Sequence, residues 1–151
     1  MNIEIINKTK GKIAIKELQN LAEIFAKKHH LPFSSLAIVL VGETRIRTLN
    51  REYRGKDQAT DVLSFSPANF PGAGAELILC PKRIFRFQNY REVLPDLMNR
   101  PKNKLKKYLL FFVLTHGLLH LAGYDDEKEQ SRLLMVDLGR KFLAKNGFSL
   151  A

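Results

Sequence analysis

At 151 residues the chain is sized for a single hydrophobic core, and its 45% apolar and 26% charged content is that of a soluble globular protein, which excludes a disordered or collagen-like chain. One cysteine, Cys80, excludes an internal disulfide, and no basic-then-apolar leader opens the chain, so a reducing cytoplasm is the expected location. Lys and Arg outnumber Asp and Glu 25 to 15, a net charge of +10 whose field attracts polyanions.

In chain order, the weak alternation of Ile3, Ile5 and Ile6 predicts an edge strand over Asn2 to Asn7, closed by a Lys10-Gly11 turn. Leu18, Leu21, Ala22, Phe25 and Ala26 recur at three- and four-residue steps, which predicts an amphipathic helix between Ile15 and His29 that Pro32 prevents from continuing. Leu36 to Val41 is a continuous apolar run ended by Gly42, the pattern of a mid-sheet strand buried on both faces. A helix follows from about Glu43 to Tyr53 with Ile46, Leu49 and Tyr53 inward, then a Gly55-Lys56-Asp57 turn and a strand over Asp61 to Phe65.

Pro67, Pro71, Gly72 and Gly74 predict a loop, Glu76 to Cys80 a strand, and Pro81 the first turn of a helix. Asn99 to Asn103, with Pro101, marks a break. Lys104 to about Leu121 is a long helix, basic in its first turn and apolar nearly all round thereafter, which implies burial against the sheet. The uncharged stretch from Tyr108 to Tyr124 falls short of the ~20 apolar residues of a membrane span. A last amphipathic helix runs from about Glu127 to Lys145 with Leu133, Leu134, Val136, Leu138 and Phe142 among its apolar positions. Helices alternating with a few strands predict an α+β domain with a small mixed sheet.

The basic excess is localised: Lys82 to Lys107 holds nine Lys and Arg residues against Glu92 and Asp96 alone. A solvated face and a path for nucleic acid both account for such a run.

The chemistry is concentrated at Thr115 to Asp126. His116 and His120 stand one helical turn apart, which puts their side chains on one face about 5–6 Å apart at Cβ, close enough to share an ion. Gly123 is able to take φ > 0 and swing residue 126 back toward the same ion, and His-x-x-x-His-x-x-Gly-x-x-ligand is the spacing of the metzincin zinc site. The third position is Asp126, a competent zinc ligand, and equally an N-cap for the last helix with Glu129 completing a capping box. The adjacent Asp125 is the alternative ligand. A pair of core imidazoles bonded to carbonyls is the bland account of the histidines, and the shared face and the turn glycine weigh against it. His29 and His30, at a helix C-terminus where cations favour the dipole, are assigned no chemistry. Gly117 stands where a zinc peptidase carries its general-base Glu, so peptide hydrolysis by the usual route is disfavoured. Three protein ligands still leave a position for water, whose pKa a metal lowers toward ~7, and phosphodiester hydrolysis suits the basic surface better.

His116 to Asp125 (HGLLHLAGYD) resembles the signature of the YbeY family of bacterial metal-dependent endoribonucleases, which act in ribosomal RNA maturation. Leu49-Asn50, Tyr53 to Asp57 (YRGKD) and Thr60 to Phe65 (TDVLSF) resemble the family's second block, and Glu76 to Cys80 is a weaker third similarity. The blocks keep family order over about residues 49 to 126. The resemblance implies an α+β fold with a small mixed sheet and a metzincin-like helix, a zinc ion in a cleft, single-stranded RNA as substrate, and Arg54 in the active site. Physically, Arg54 offers a bidentate fork for a phosphate, while an exposed arginine before a Gly turn is its ordinary role. Thr60, Asp61 and Ser64 either orient ligands or satisfy strand ends. Two departures stand out: Asp126 replaces the family's third histidine, and Ala75-Glu76 replaces its Gly-Asp.

These readings combine into one expectation: a single domain over residues 1–151, cytoplasmic, acting as an endoribonuclease in ribosomal RNA maturation and ribosome quality control. His116, His120 and Asp126 hold one Zn2+; Arg54 and His116 are catalytic; Arg54, Lys104, Lys106 and Lys107 bind the RNA. The expected partners are single-stranded ribosomal RNA and the small ribosomal subunit, with neither membrane nor DNA. Two rival classes remain: a non-catalytic RNA- or ribosome-associated assembly factor with a structural metal, and a metallopeptidase that takes its base from elsewhere in the fold.

Overall fold

A computed structural model describes residues 1–67 and 74–150. Its elements are β1 (Asn2–Asn7), α1 (Ile15–Lys28), β2 (Ser35–Leu40), α2 (Glu43–Arg54), β3 (Val62–Phe65), β4 (Ala75–Leu79), a single-turn α3 (Pro81–Ile84), α4 (Lys102–Leu121) and α5 (Glu129–Lys145). Two 3-10 turns, Phe87–Tyr90 and Pro95–Leu97, bridge α3 and α4. The fold is α+β with a four-stranded mixed sheet in the order β1-β2-β4-β3. β1, β2 and β4 run parallel, and β3 pairs antiparallel with β4, opposing Val62 to Leu79 and Phe65 to Glu76. β1 lies at an edge, as its weak alternation predicted.

Period-two alternation divides the sheet's side chains between two cores. Leu36, Ile38, Leu40, Leu77 and Leu79 point to the face covered by α1 and α4, where Leu18, Leu21 and Phe25 are fully buried. Val41, Leu63, Ile78 and Cys80 point the other way, onto Ile46 and Leu49 of α2. α4 buries thirteen of its twenty residues, which makes it the central helix of the larger core. It starts at Lys102, two residues earlier than predicted, because Pro101 serves as its N-cap rather than ending a loop inside it.

Three expectations about burial and one about capping are corrected. β2 is buried on one face only, alternating between buried Leu36, Ile38 and Leu40 and half-buried Ala37 and Val39, because α2 is too short to cover the whole second face. Tyr53 is 55% exposed, with its ring edge to face on Phe65 of β3, and buried Asn50 takes the inward position. Leu133 and Leu134 face solvent, while Met135, Gly139, Phe142 and Leu143 make the buried stripe of α5. Asp126 does not cap α5: Lys128 is the N-cap residue, its N–H bonded to the Ser131 hydroxyl. Of the loop predicted around Pro67, Pro71, Gly72 and Gly74, Pro71 and Gly72 lie outside the described residues. No helix among the described residues is long and apolar enough to cross a membrane.

Candidate metal centre

The last two turns of α4 carry His116 and His120 on one face, their rings 4.8 Å apart and nearly perpendicular. The helix closes with the N–H of Gly123 on the His120 carbonyl and that of Tyr124 on the Leu119 carbonyl. Gly123 takes φ +105°, a conformation that L side chains rarely adopt, and turns the chain back across the helix end. Asp126 is thereby brought to the histidines: its Oδ2 lies 3.1 Å from His116 Nε2 and 3.4 Å from His120 Nε2. Asp125, the alternative carboxylate, is otherwise engaged, its Oδ1 accepting from the Glu127 N–H and the Ser131 hydroxyl.

The electrostatics suit a cation. Burial holds the His116 imidazole below its ordinary pKa, the charge of nearby His120 acts the same way, and Asp126 only partly offsets them, so the ring favours its neutral form. Burial alone raises the Asp126 carboxyl, but the His116 hydrogen bond and the attraction of His120 outweigh it and leave the group below its usual range. His120 Nδ1 lies 3.1 Å from the Tyr124 carbonyl, which only accepts, so Nδ1 carries a proton and Nε2 is the nitrogen that faces Asp126. The candidate ligand atoms of the three residues all lie within 4.8 Å of one another. Two imidazoles and a carboxylate, one ring held by a backbone carbonyl on its far nitrogen, form a donor set that fits a divalent ion such as zinc.

These groups open into a cavity of about 670 Å³ that also contains Asn50, Arg54, Lys56, Gln58, Thr60, Asp61, Ser64 and Ser66. Arg54, the last residue of α2, donates from Nη2 to the Ser64 carbonyl at 2.6 Å and lies over the Phe65 ring at 5.1 Å from its centre. Ser64 ties β3 to α4 by donating its hydroxyl to the Gly117 carbonyl at 3.3 Å. Asp61 accepts from the Tyr90 hydroxyl at 3.0 Å; burial and the Asp61 charge push the Tyr90 pKa far up, so Tyr90 remains a neutral donor. Buried Asn50 donates its amide to the Gln58 carbonyl and holds the 55–61 segment against α2.

Gly117 packs on the sheet at Leu77 and Val62. A Cβ there would stand 3.0 Å from Leu77 Cδ2 and 3.1 Å from Val62 Cγ2, so the close approach of α4 to the sheet means that a Glu at this position would have to displace both side chains.

His116, His120, Asp126 and Arg54 are thus brought together, and Lys104, Lys106 and Lys107 are not. The lysines occupy the opposite end of α4, with even Lys107 about 14 Å along the axis from His116. Lys107 pairs with Glu17 at 2.7 Å and Lys106 lies over Phe85, while Lys104 borders a separate cavity with Tyr108 and Phe148. Asn50, Lys56 and Gln58 were missed as lining residues. Asn50 carries a readable signal, a polar residue at an inward helix position; the other two line the cavity only because of how the turn after α2 folds.

The family model described as endoribonuclease YbeY matches residues 2–147. The chain belongs to the YbeY family. Among relatives named endoribonuclease YbeY, that of Anaeromyxobacter dehalogenans is 40% identical over 127 residues, 84% of this chain and 62% of its own length. A second Anaeromyxobacter relative is matched over only 58% of its length, so the chain spans about three-fifths of these two proteins. The Geobacillus relative is 29% identical over 161 residues, which takes in 99% of this chain and 98% of the relative. A solution structure of TM1509 from Thermotoga maritima superposes with a TM-score of 0.54 at 29% identity, covering 95% of this chain and 90% of the other. Within the YbeY match lie all the residues gathered in the cavity, Asp126 included.

Proposed function

We propose that this chain is a metal-dependent endoribonuclease that cuts single-stranded RNA, acting in the cytoplasm in ribosomal RNA maturation and ribosome quality control as one domain over residues 1–151. The observation that carries the reading is the convergence of His116, His120 and Asp126 in a cavity shared with Arg54, in a chain of the YbeY family. His116 and His120 through Nε2, and Asp126 through its carboxylate, hold one divalent ion, with zinc the best match to two imidazoles and an oxygen. When bound, the ion supplies Lewis acidity toward a phosphate oxygen and lowers the pKa of water.

The remaining work belongs to the protein's own groups. Arg54, fixed at one nitrogen by the Ser64 carbonyl, presents its other N–H groups to a phosphate and stabilises the charge that develops at the scissile phosphorus. Asp61, oriented by Tyr90 and Thr60, and Ser64, oriented by Gly117, line the cavity beside the histidines. Lys104, Lys106 and Lys107 meet the RNA backbone at a distance from the cut, together with the small ribosomal subunit to which the RNA belongs. A peptidase is disfavoured by the packing around Gly117.

The test is elemental analysis of wild type, His120→Ala and Asp126→Ala protein, paired with cleavage of a fluorogenic single-stranded RNA. Near-stoichiometric zinc lost in both variants, together with RNA cleavage by the wild type alone, is the expected result. Wild type that carries no metal, and that no added metal enables to cleave, would sink the catalytic reading in favour of an RNA-binding assembly factor.

A further inference from the structure

The face of the sheet that α2 leaves uncovered holds a second cavity, of about 460 Å³, and it borders the first: Ser66 lines both. Its walls are apolar, with Val39 and Ile78 from the sheet and the rings of Tyr53 and Phe65 at the side nearer Arg54. Tyr53 meets Phe65 edge to face, with ring centres 5.4 Å apart and planes inclined at 69°. Phe65 thus contacts both an exposed phenol ring and the Arg54 guanidinium. Lys8 and Arg45 bring two cations to the same cavity, and Glu76 brings one carboxylate.

An exposed large aromatic, half its surface in water and no part of the core, is an unusual use of a tyrosine in an α2 that otherwise buries Ile46 and Leu49. Placed beside a guanidinium and two further cations, it has the composition of a single-stranded nucleic-acid platform, in which rings stack on bases while basic groups follow the phosphates. A strand whose phosphate lies on Arg54 and which leaves the first cavity past Ser66 sets its next base against Tyr53 and Phe65. The carboxylate of Glu76 accepts the exocyclic amino group of adenine, cytosine or guanine and repels a phosphate.

We infer that Tyr53 and Phe65 form a base-stacking subsite for the nucleotide next to the phosphate held by Arg54, with Lys8 and Arg45 on the continuing backbone. The inference rests on the RNA-cleaving reading and adds to it a contact made to a base rather than to phosphate.

The protein contains no tryptophan, so Tyr53→Trp installs a sole indole reporter at the subsite. The full-length Tyr53→Trp protein is titrated with 2′-O-methyl oligoadenylate and, as a base-free polyanion, with inorganic polyphosphate. In parallel, the affinity of labelled oligoadenylate for wild type, Tyr53→Ala, Tyr53→Phe and Arg54→Ala is read by fluorescence anisotropy. The expected results are saturable quenching by oligoadenylate and not by polyphosphate, binding weakened roughly fivefold or more in Tyr53→Ala, and binding retained in Tyr53→Phe. Equal quenching by polyphosphate would reduce the groove to a cation patch and overturn the stack. Unchanged affinity in Tyr53→Ala alongside weakened affinity in Arg54→Ala would overturn the stack while leaving the RNA-cleaving reading standing. A wild type that binds no RNA would bring down both, and an indole that responds to an unstructured peptide instead would assign the groove to a protein segment.

Discussion

The two ends of α4 hold the two groups of residues that the sequence offered for function, and they are surrounded differently. At the C-terminal end, His116 and His120 are joined by Asp126 from beyond the helix, and the three side chains meet one another in a partly buried pocket wall. At the N-terminal end, Lys107 pairs with Glu17, Lys106 lies over Phe85, and Lys104 borders a cavity on the side of Tyr108 and Phe148. Convergence under partial burial costs desolvation and is sustained only where the groups satisfy one another or a ligand, whereas dispersal of like charges is what electrostatics favours unaided. The first arrangement points to a site; the second, to a field.

The sharpest way to break that contrast is at Gly117, which lets the C-terminal end lie against the sheet. Gly117→Glu drives a carboxylate between Leu77 and Val62 and is expected to cost at least about 3 kcal/mol, or to prevent folding. A denaturant melt reads the loss. A stable, soluble Gly117→Glu protein would mean that α4 has room for a peptidase-like base after all, and the metallopeptidase reading would regain its footing.

Next in size is Arg54→Ala, which removes the proposed phosphate fork without touching His116, His120 or Asp126. Turnover on the fluorogenic RNA is expected to fall roughly a hundredfold, with metal content unchanged by elemental analysis. Loss of metal in this variant would instead make Arg54 a part of the fold around the site. At the other end of the helix, the combined variant Lys104→Ala, Lys106→Ala, Lys107→Ala is expected to leave turnover at saturating RNA unchanged. It should flatten the slope of log affinity against log salt by about 2, near 0.7 for each lysine that meets a phosphate. An unaltered slope would show that these cations serve solubility alone.

Most of the fold was readable because its signals are local. The period of Leu18, Leu21, Ala22 and Phe25, the uninterrupted apolar run of α4 and the break at Pro101 each fix an element without reference to anything distant. The two histidines were readable for the same reason, since one turn of helix sets their spacing. What escaped depended on what packs where. Leu36 to Val41 looks the same whether one face or both are covered, and only the length of α2 decides that Val39 is left at a groove. Tyr53 keeps the helical period of Ile46 and Leu49 yet stands half in water at the groove, against Phe65. The competing roles of Asp126 were equal on spacing, and were separated by the backbone turn at Gly123 and by Ser131, which satisfies the Lys128 N–H in its place.

The smallest expected effect concerns the proton inventory of the metal-free protein, and it distinguishes the two ends of α4 by pH. Burial first, and then the charge of His120, hold the His116 pKa below 6.5 in the folded state. Between that lowered value and 6.5 the unfolded chain binds a proton that the folded chain does not, so stability rises with pH through the window and is lost as pH falls below 6.5. Asp126, also lowered, contributes in the same direction but further down, its share being present above 3.8 and lost as pH falls through its folded value. The thermal midpoint of chelator-treated wild type should therefore drop by about 1–3 °C as pH falls from roughly 7 to 5.5. His116→Ala should flatten that slope, while the triple lysine variant keeps it. A slope that survived in His116→Ala would place the titrating group elsewhere and remove the claim that this imidazole is held neutral for a ligand; a slope lost in the lysine variant would show that the two ends of the helix are coupled through the fold rather than built independently.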